Sequence, residues 1–188
     1  MKQLDDDVVF IIDDSGSIPL DQFNKGLSAL TYFIEGSSPG SKFAAIKYSG
    51  KATLLFNFVS LNEAKKKLKN VPHAGGSTNT QEALKMARDL FLNPAASGHR
   101  QSASRVVVLV TDGNSNVQRD QTVPQANLLK IIGAKIIVFG VGSYGHSGKQ
   151  ELKKIATHPP NENLSELKTF IEFDRVANMV AKAPWLQG

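Results

Sequence analysis

Two aspartates and several hydroxyls stand where one chain could assemble a site of hard oxygen ligands. Asp13, Ser15 and Ser17 alternate within Asp-Asp-Ser-Gly-Ser, so a turn leaving a strand would bring three oxygens together while Gly16 lets the backbone curl. Asp112 lies in Val-Thr-Asp-Gly, and the glycine-rich stretch 73–80 supplies Ser77, Thr78 and Thr80. Carboxylates and hydroxyls without His or Cys suit magnesium, calcium or manganese rather than zinc or copper. Two carboxylates held close together repel and raise each other's pKa, and a cation between them removes that conflict. Capping of helices and loops is the everyday use of Ser and Thr, but it leaves the two aspartates unexplained.

The apolar chain ahead of each aspartate shows how it is delivered. Val-Val-Phe-Ile-Ile before Asp13 and Val-Val-Val-Leu-Val before Thr111-Asp112 are continuous apolar runs, the pattern of strands buried on both faces of a parallel sheet. Between them, Phe23, Leu27, Leu30, Phe33 and Ile34 recur at helical spacing from Pro19 to Gly36. Runs 43–48 and 52–58 are separated only by Ser49, Gly50 and Lys51, which requires an antiparallel hairpin. Ser60-Leu-Asn-Glu63 has the form of a capping box opening a lysine-rich helix that stops before Pro72. A helix with Ala83, Leu84, Ala87, Leu90 and Phe91 on one stripe follows the glycine-rich loop, and a polar loop covers 93–104. A helix over 123–132, a strand over 134–141, a helix over 149–156, a strand over 167–171 and a last helix over 173–181 complete the reading. Phe173, Val176 and Val180 are expected to anchor that last helix.

Strands alternating with helices imply a doubly wound α/β fold, with a mostly parallel central sheet, one antiparallel edge strand and helices on both faces. Ligands of such sheets sit beyond the carboxyl ends of the strands where strand order reverses. If the first and fourth strands are neighbours there, Asp13 and Asp112 converge and the loop carrying Thr78 closes over them.

The 188 residues, 41% hydrophobic and 21% charged, suffice for one full core, so a single domain over 1–188 is expected. Without cysteine there is no disulfide or thiol chemistry. The net charge of +5 is spread along the chain, and the run Lys65, Lys66, Lys67 and Lys69 reads as a solvated helix face, which gives nucleic-acid binding little support. No apolar run nears the roughly 18 residues of a membrane span, and Met-Lys-Gln-Leu-Asp-Asp-Asp lacks the core of a signal peptide, so a soluble chain or an excised fragment without membrane insertion is expected. His73, His99, His146 and His158 fall in expected loops and read as surface residues, with His73 and His146 near the rim of the oxygen site.

Two other chemistries compete. Gly140-Val-Gly142-Ser-Tyr-Gly145 matches a dinucleotide fingerprint in form but comes late, with no acidic residue ending a following strand. A metal-dependent phosphoryl-transfer enzyme or hydrolase would also place an aspartate after the first strand, but there is no P-loop and no Asp-x-Asp pair.

In the order Asp-x-Ser-x-Ser, threonine in a glycine-rich loop, and aspartate before glycine after an apolar strand, the chain resembles the von Willebrand factor A domains of integrin I domains, matrilins and collagen-associated matrix proteins. The resemblance implies a metal-ion-dependent adhesion site formed by Asp13, Ser15, Ser17, Thr78 and Asp112. It implies magnesium, replaceable by manganese or calcium, with one coordination position left for a glutamate or aspartate of a partner. On this reading the chain is a binding module and not an enzyme. Its partner is an extracellular-matrix or cell-surface protein, with collagen among the candidates, and its location is extracellular. The sequon Asn163-Leu-Ser165 fits that location. Asp14 fills the variable motif position and should point away, while Thr80 caps the following helix. The short connection after 141 has no room for the extra helix of collagen-binding integrin I domains, so collagen would be bound by another surface. In integrin I domains the C-terminal helix slides when the metal is engaged, and the resemblance extends that expectation to 173–181.

Overall fold

In the computed structural model, which describes residues 5–182, the apolar run before Asp13 is strand β1 (Asp6–Asp13). It is followed by α1 (Leu20–Glu35), the hairpin β2 (Lys42–Tyr48) and β3 (Ala52–Ser60), α2 (Leu61–Leu68) and α3 (Thr80–Leu92). Then come α4 (Pro94–Ser97), β4 (Ser104–Thr111), α5 (Thr122–Ile131), β5 (Lys135–Val141), α6 (Gly145–Ile155), α7 (Pro160–Asn163), β6 (Leu164–Leu167) and α8 (Phe170–Ala181). The six strands form one sheet in the order β3-β2-β1-β4-β5-β6. Among the described residues only the β2–β3 pairing is antiparallel. The connection after β1 runs to β2 on one side and the later chain returns as β4 on the other, so strand order reverses beside β1.

Because neighbours along a strand point to opposite faces, β1 feeds two cores. Phe10 stacks on Phe43 at 5.7 Å between ring centroids and faces α1, α2 and α8. Val9 and Ile11 face α3, α5 and α6. Each such fully buried side chain contributes roughly 1.5–3 kcal/mol, and β1 supplies them to both cores.

Several expectations need correction. The last strand is β6 (Leu164–Leu167), not 167–171, since its place is set by parallel pairing of Leu164 with Val138 and Leu167 with Val141. The last helix starts three residues early because Thr169 accepts the Glu172 N–H and Glu172 accepts the Lys168 N–H. Ser60 is an N-cap by position, but its side chain makes no capping bond. The buried face of α8 is Phe170, Phe173 and Ala177, whereas Val176 and Val180 are exposed. Close approach to α1 sets that face: a Cβ on Gly26 would lie 3.2 Å from the Phe170 ring and one on Gly36 would lie 3.3 Å from the Ala181 Cα. The polar loop 93–104 contains the turn α4, and α6 starts four residues early, leaving only 142–144 after β5. Gly140 serves packing, because a Cβ there would meet Tyr144 Oη at 2.5 Å and Leu152 at 2.7 Å.

His99 is buried, not at the surface. Its Nδ1 donates to Asp7 Oδ2 (2.9 Å), its Nε2 accepts from Arg105 Nε (3.2 Å), and its ring lies between Phe58 and Phe91. Arg100 closes on Asp7 through Nε (2.9 Å) and Nη2 (2.6 Å). Asn163 of the sequon is likewise buried, with its amide donating to Thr157 O and Pro159 O, so the folded domain offers no accessible acceptor for a glycan there. The lysine face of α2 is solvated and partly paired, Lys65 with Glu35 and Lys67 with Glu63. His146 and His158 are exposed as expected. Among the described residues no helix is long and apolar enough to cross a membrane.

Candidate metal centre

Asp13 is the last residue of β1 and is 1% exposed. Its Oδ1 accepts the Ser15 N–H (2.9 Å), and its Oδ2 accepts the hydroxyls of Thr111 (2.7 Å) and Tyr48 (3.4 Å). The tight turn that follows brings Ser15 Oγ within 3.1 Å of Ser17 Oγ. Ser17 in turn reaches Asp112, one residue beyond β4. The pairing of β1 with β4 thus does what strand order requires: it sets the two aspartates facing each other at the carboxyl end of the sheet.

Thr78 reaches the same pole through its loop. Gly16 N–H donates to Gly76 O (2.9 Å), and Gly76 holds φ +126°, a region that L side chains rarely adopt. The Thr78 N–H donates to Asn116 Oδ1 (2.8 Å), and the Thr78 carbonyl accepts from Asn116 N (3.0 Å) and Val117 N (3.3 Å). The loop after β4 is fastened on its other side by Glu151 of α6, which accepts the Ser115 N–H, the Ser115 hydroxyl and Arg119 Nε. Asp13, Ser15 and Thr78 are buried while Ser17 and Ser77 are exposed, so the cluster runs from the interior to the surface.

Burial, and next the charge of Asp112, push the Asp13 carboxyl up to about 6, against hydrogen bonds from Ser15 and Thr111. Burial also raises Asp112, with the Ser17 hydroxyl opposing. Tyr48 is wholly buried beside Asp13, so its hydroxyl is pushed well up and stays a donor. Two carboxylates made reluctant to ionise, ringed by hydroxyls, fit a small divalent cation that would supply the missing positive charge. Among the described residues no three His, Cys, Asp or Glu side chains converge, so such an ion would keep much of its charge for a further anionic ligand.

The structure brings Asp13, Ser15, Ser17 and Asp112 together and places the Thr78 loop against both halves of the site. Asp14 points elsewhere, to Lys47, His73 and the Ala74 N–H. Thr80 is not the cap of α3: Asn79 holds that position, and the Thr80 hydroxyl faces Tyr48 Oη at 3.5 Å. Sequence reasoning passed over Tyr48, Thr111 and Asn116. Tyr48 could have been found from register, since it ends β2 opposite Asp13, and Thr111 from its place beside Asp112.

Residues 7–178 match the von Willebrand factor type A domain. The chain is 32% identical over 184 residues to mouse integrin alpha-X, covering 94% of this chain and 16% of that protein. It is 29% identical over 172 residues to the human collagen alpha-5(VI) chain, covering 86% and 6%. It thus spans less than a fifth of either relative. Proximal thread matrix protein 1 of the mussel byssus, in a structure with a zinc-occupied MIDAS motif, has a similar fold, with a TM-score of 0.82 at 24% identity over 95% of this chain and 47% of that one.

Proposed function

The chain belongs to the von Willebrand factor type A domain family, and from that premise we propose that it is a metal-dependent adhesion module for an acidic residue of a partner protein. The observation that carries the reading is the buried Asp13 carboxyl, pushed up to about 6 by burial and by the facing Asp112. A pair of charges so placed weakens the metal-free state and favours a cation. Asp13, Ser15, Ser17, Thr78 and Asp112 would hold magnesium, with manganese or calcium as substitutes. The ion supplies an electrophilic position for a carboxylate brought by the partner. The protein's own part is to keep its ligands few in charge and fixed in place. Thr111 and Tyr48 hold Asp13, Ser15 and Ser17 turn together, and Asn116 holds the Thr78 backbone.

Relatives among integrins and collagens support a matrix or cell-surface partner and an extracellular location for this single domain. Collagen remains a candidate partner, by a surface other than an added helix after β5. The phosphoryl-transfer reading is disfavoured because Asp13 is tied by three donors and so is not a free nucleophile. The test is binding of the domain to immobilised matrix proteins in magnesium and in EDTA, beside an assay of phosphate-ester hydrolysis in magnesium. Binding lost in EDTA with no hydrolysis is the expected result. Binding that survives EDTA would move the interaction to another face, and hydrolysis would return the enzyme reading.

A further inference from the structure

Residues 72–79 form no helix or strand, yet they carry Thr78 to the site. At their end Asn116 grips Thr78, but at their start the anchor is Asp14, the motif residue that faces away from the metal position. The Asp14 side chain is 2% exposed and its charge is met from the loop and from β2. Lys47 Nζ lies 2.9 Å from Oδ2, His73 Nδ1 lies 3.1 Å from Oδ1, and the Ala74 N–H donates to Oδ1 at 3.0 Å. Lys47 Nζ also donates to the Pro72 carbonyl (2.6 Å), and His73 Nε2 lies 2.5 Å from the Ile18 carbonyl. The His73 ring rests on Phe23 with centroids 4.9 Å apart. The Asp14 carboxylate and the Ile18 carbonyl are both acceptors, so the His73 ring is set between two acceptors, one on each side of the turn.

Resting on the metal reading above, we propose that Asp14, Lys47 and His73 are a latch of positioning residues that locks the glycine-rich loop against the turn of β1 and so presents Thr78 to the cation. Successive side chains of a strand point to opposite sides, so Asp13 turns into the site while Asp14 turns to the loop that must close it. The buried carboxylate is tolerated because the loop and β2 satisfy it, and the loop is ordered because the carboxylate demands partners. Thr78 is then held in place before any metal arrives.

The test uses the whole chain with manganese alone, reading affinity by titration and inner-sphere water by proton relaxation. Replacing Lys47 by Met removes a positive charge near a cation, so electrostatics alone would tighten binding, and replacing His73 by Phe removes only its polar contacts. The latch requires the opposite: affinity falls, by roughly tenfold if these groups act as outer partners of metal ligands usually do. Bound manganese also gains one water, as it should in Thr78→Val. Added to Thr78→Val, neither change should have further effect, because the loop no longer has a ligand to place. Asp14→Ala should behave alike where it folds. Tighter or unchanged binding in His73→Phe and Lys47→Met, or full additivity with Thr78→Val, overturns the latch and leaves the metal centre standing. A native chain that binds no manganese overturns both.

Discussion

Replacing Asp13 by asparagine is expected to stabilise the metal-free domain at neutral pH while removing its response to magnesium. Burial and the facing Asp112 push the Asp13 carboxyl up to about 6, against about 3.9 for a free aspartate. Between those values the folded state keeps a proton that the unfolded chain has released. The native domain is therefore free of this penalty below pH ~4 and loses stability as pH rises through the folded value. At 1.36 kcal/mol per pH unit the full loss at neutral pH is roughly 3 kcal/mol. Asparagine keeps an acceptor for the Ser15 N–H but offers the Thr111 hydroxyl a weaker one, which returns about 1 kcal/mol. Urea denaturation in EDTA should find the variant about 2 kcal/mol more stable than the native chain near neutral pH, an advantage that vanishes at low pH. Magnesium at a hundred times its dissociation constant should add about 2.7 kcal/mol to the native chain and nothing to the variant. A variant less stable than the native chain at neutral pH in EDTA would refute the reasoning, because the hydrogen bonds of Asp13 would then outweigh the strain of its charge.

Asp112→Ala should abolish magnesium and manganese binding by calorimetry while far-ultraviolet circular dichroism stays native, since Asp112 lies past the end of β4 and outside both cores. Asp7→Ala should lower stability by about 3–5 kcal/mol in denaturant titrations, because Arg100 loses its counter-charge and the buried His99 Nδ1 loses its acceptor. Manganese affinity should be unchanged in that variant, as Asp7 is roughly 20 Å from Asp13 along the strand. A Cβ on Gly36 would lie 3.7 Å from Ala181 Cβ, near the mean of about 3.8 Å in disulfides. Gly36→Cys with Ala181→Cys should therefore cross-link α8 to α1, and equal partner affinity in oxidised and reduced forms would show that α8 need not slide.

What was legible in the sequence was what neighbouring residues decide. β1 and β4 are unbroken apolar runs because both their faces are covered, and the three residues between β2 and β3 permit no other pairing. Asp13, Ser15 and Ser17 were legible for the same reason, being one turn. What distant residues decide was not legible. Leu-Ser-Glu-Leu is a strand because β5 lies beside it, not because its side chains form a strand pattern. His99 looks like any loop histidine until Asp7, 92 positions earlier, is seen against it. Capping shows the limit most plainly: the box expected at Ser60 makes no side-chain bond, while Thr169 and Glu172 make theirs unannounced. Asp14 was expected to point away from the motif and does, but its partners Lys47 and His73 come from the next strand and a loop, and no local pattern pairs them.

The pairing of β1 with β4 also sets an order of assembly. The bond from Thr111 to Asp13 joins residues 98 apart, whereas the β2–β3 hairpin closes over three. Loop closure makes such distant parallel pairing the slow part of folding. In a chain still lacking residues beyond 103, Asp13 has neither Thr111 nor Asp112 beside it. The oxygen cluster around Asp13 therefore comes into being in the same event that completes the middle of the sheet. On the metal reading proposed above, a cation would not guide the early chain; it would act as a seal on the finished one, stabilising it by an amount that grows with the logarithm of its concentration over its dissociation constant.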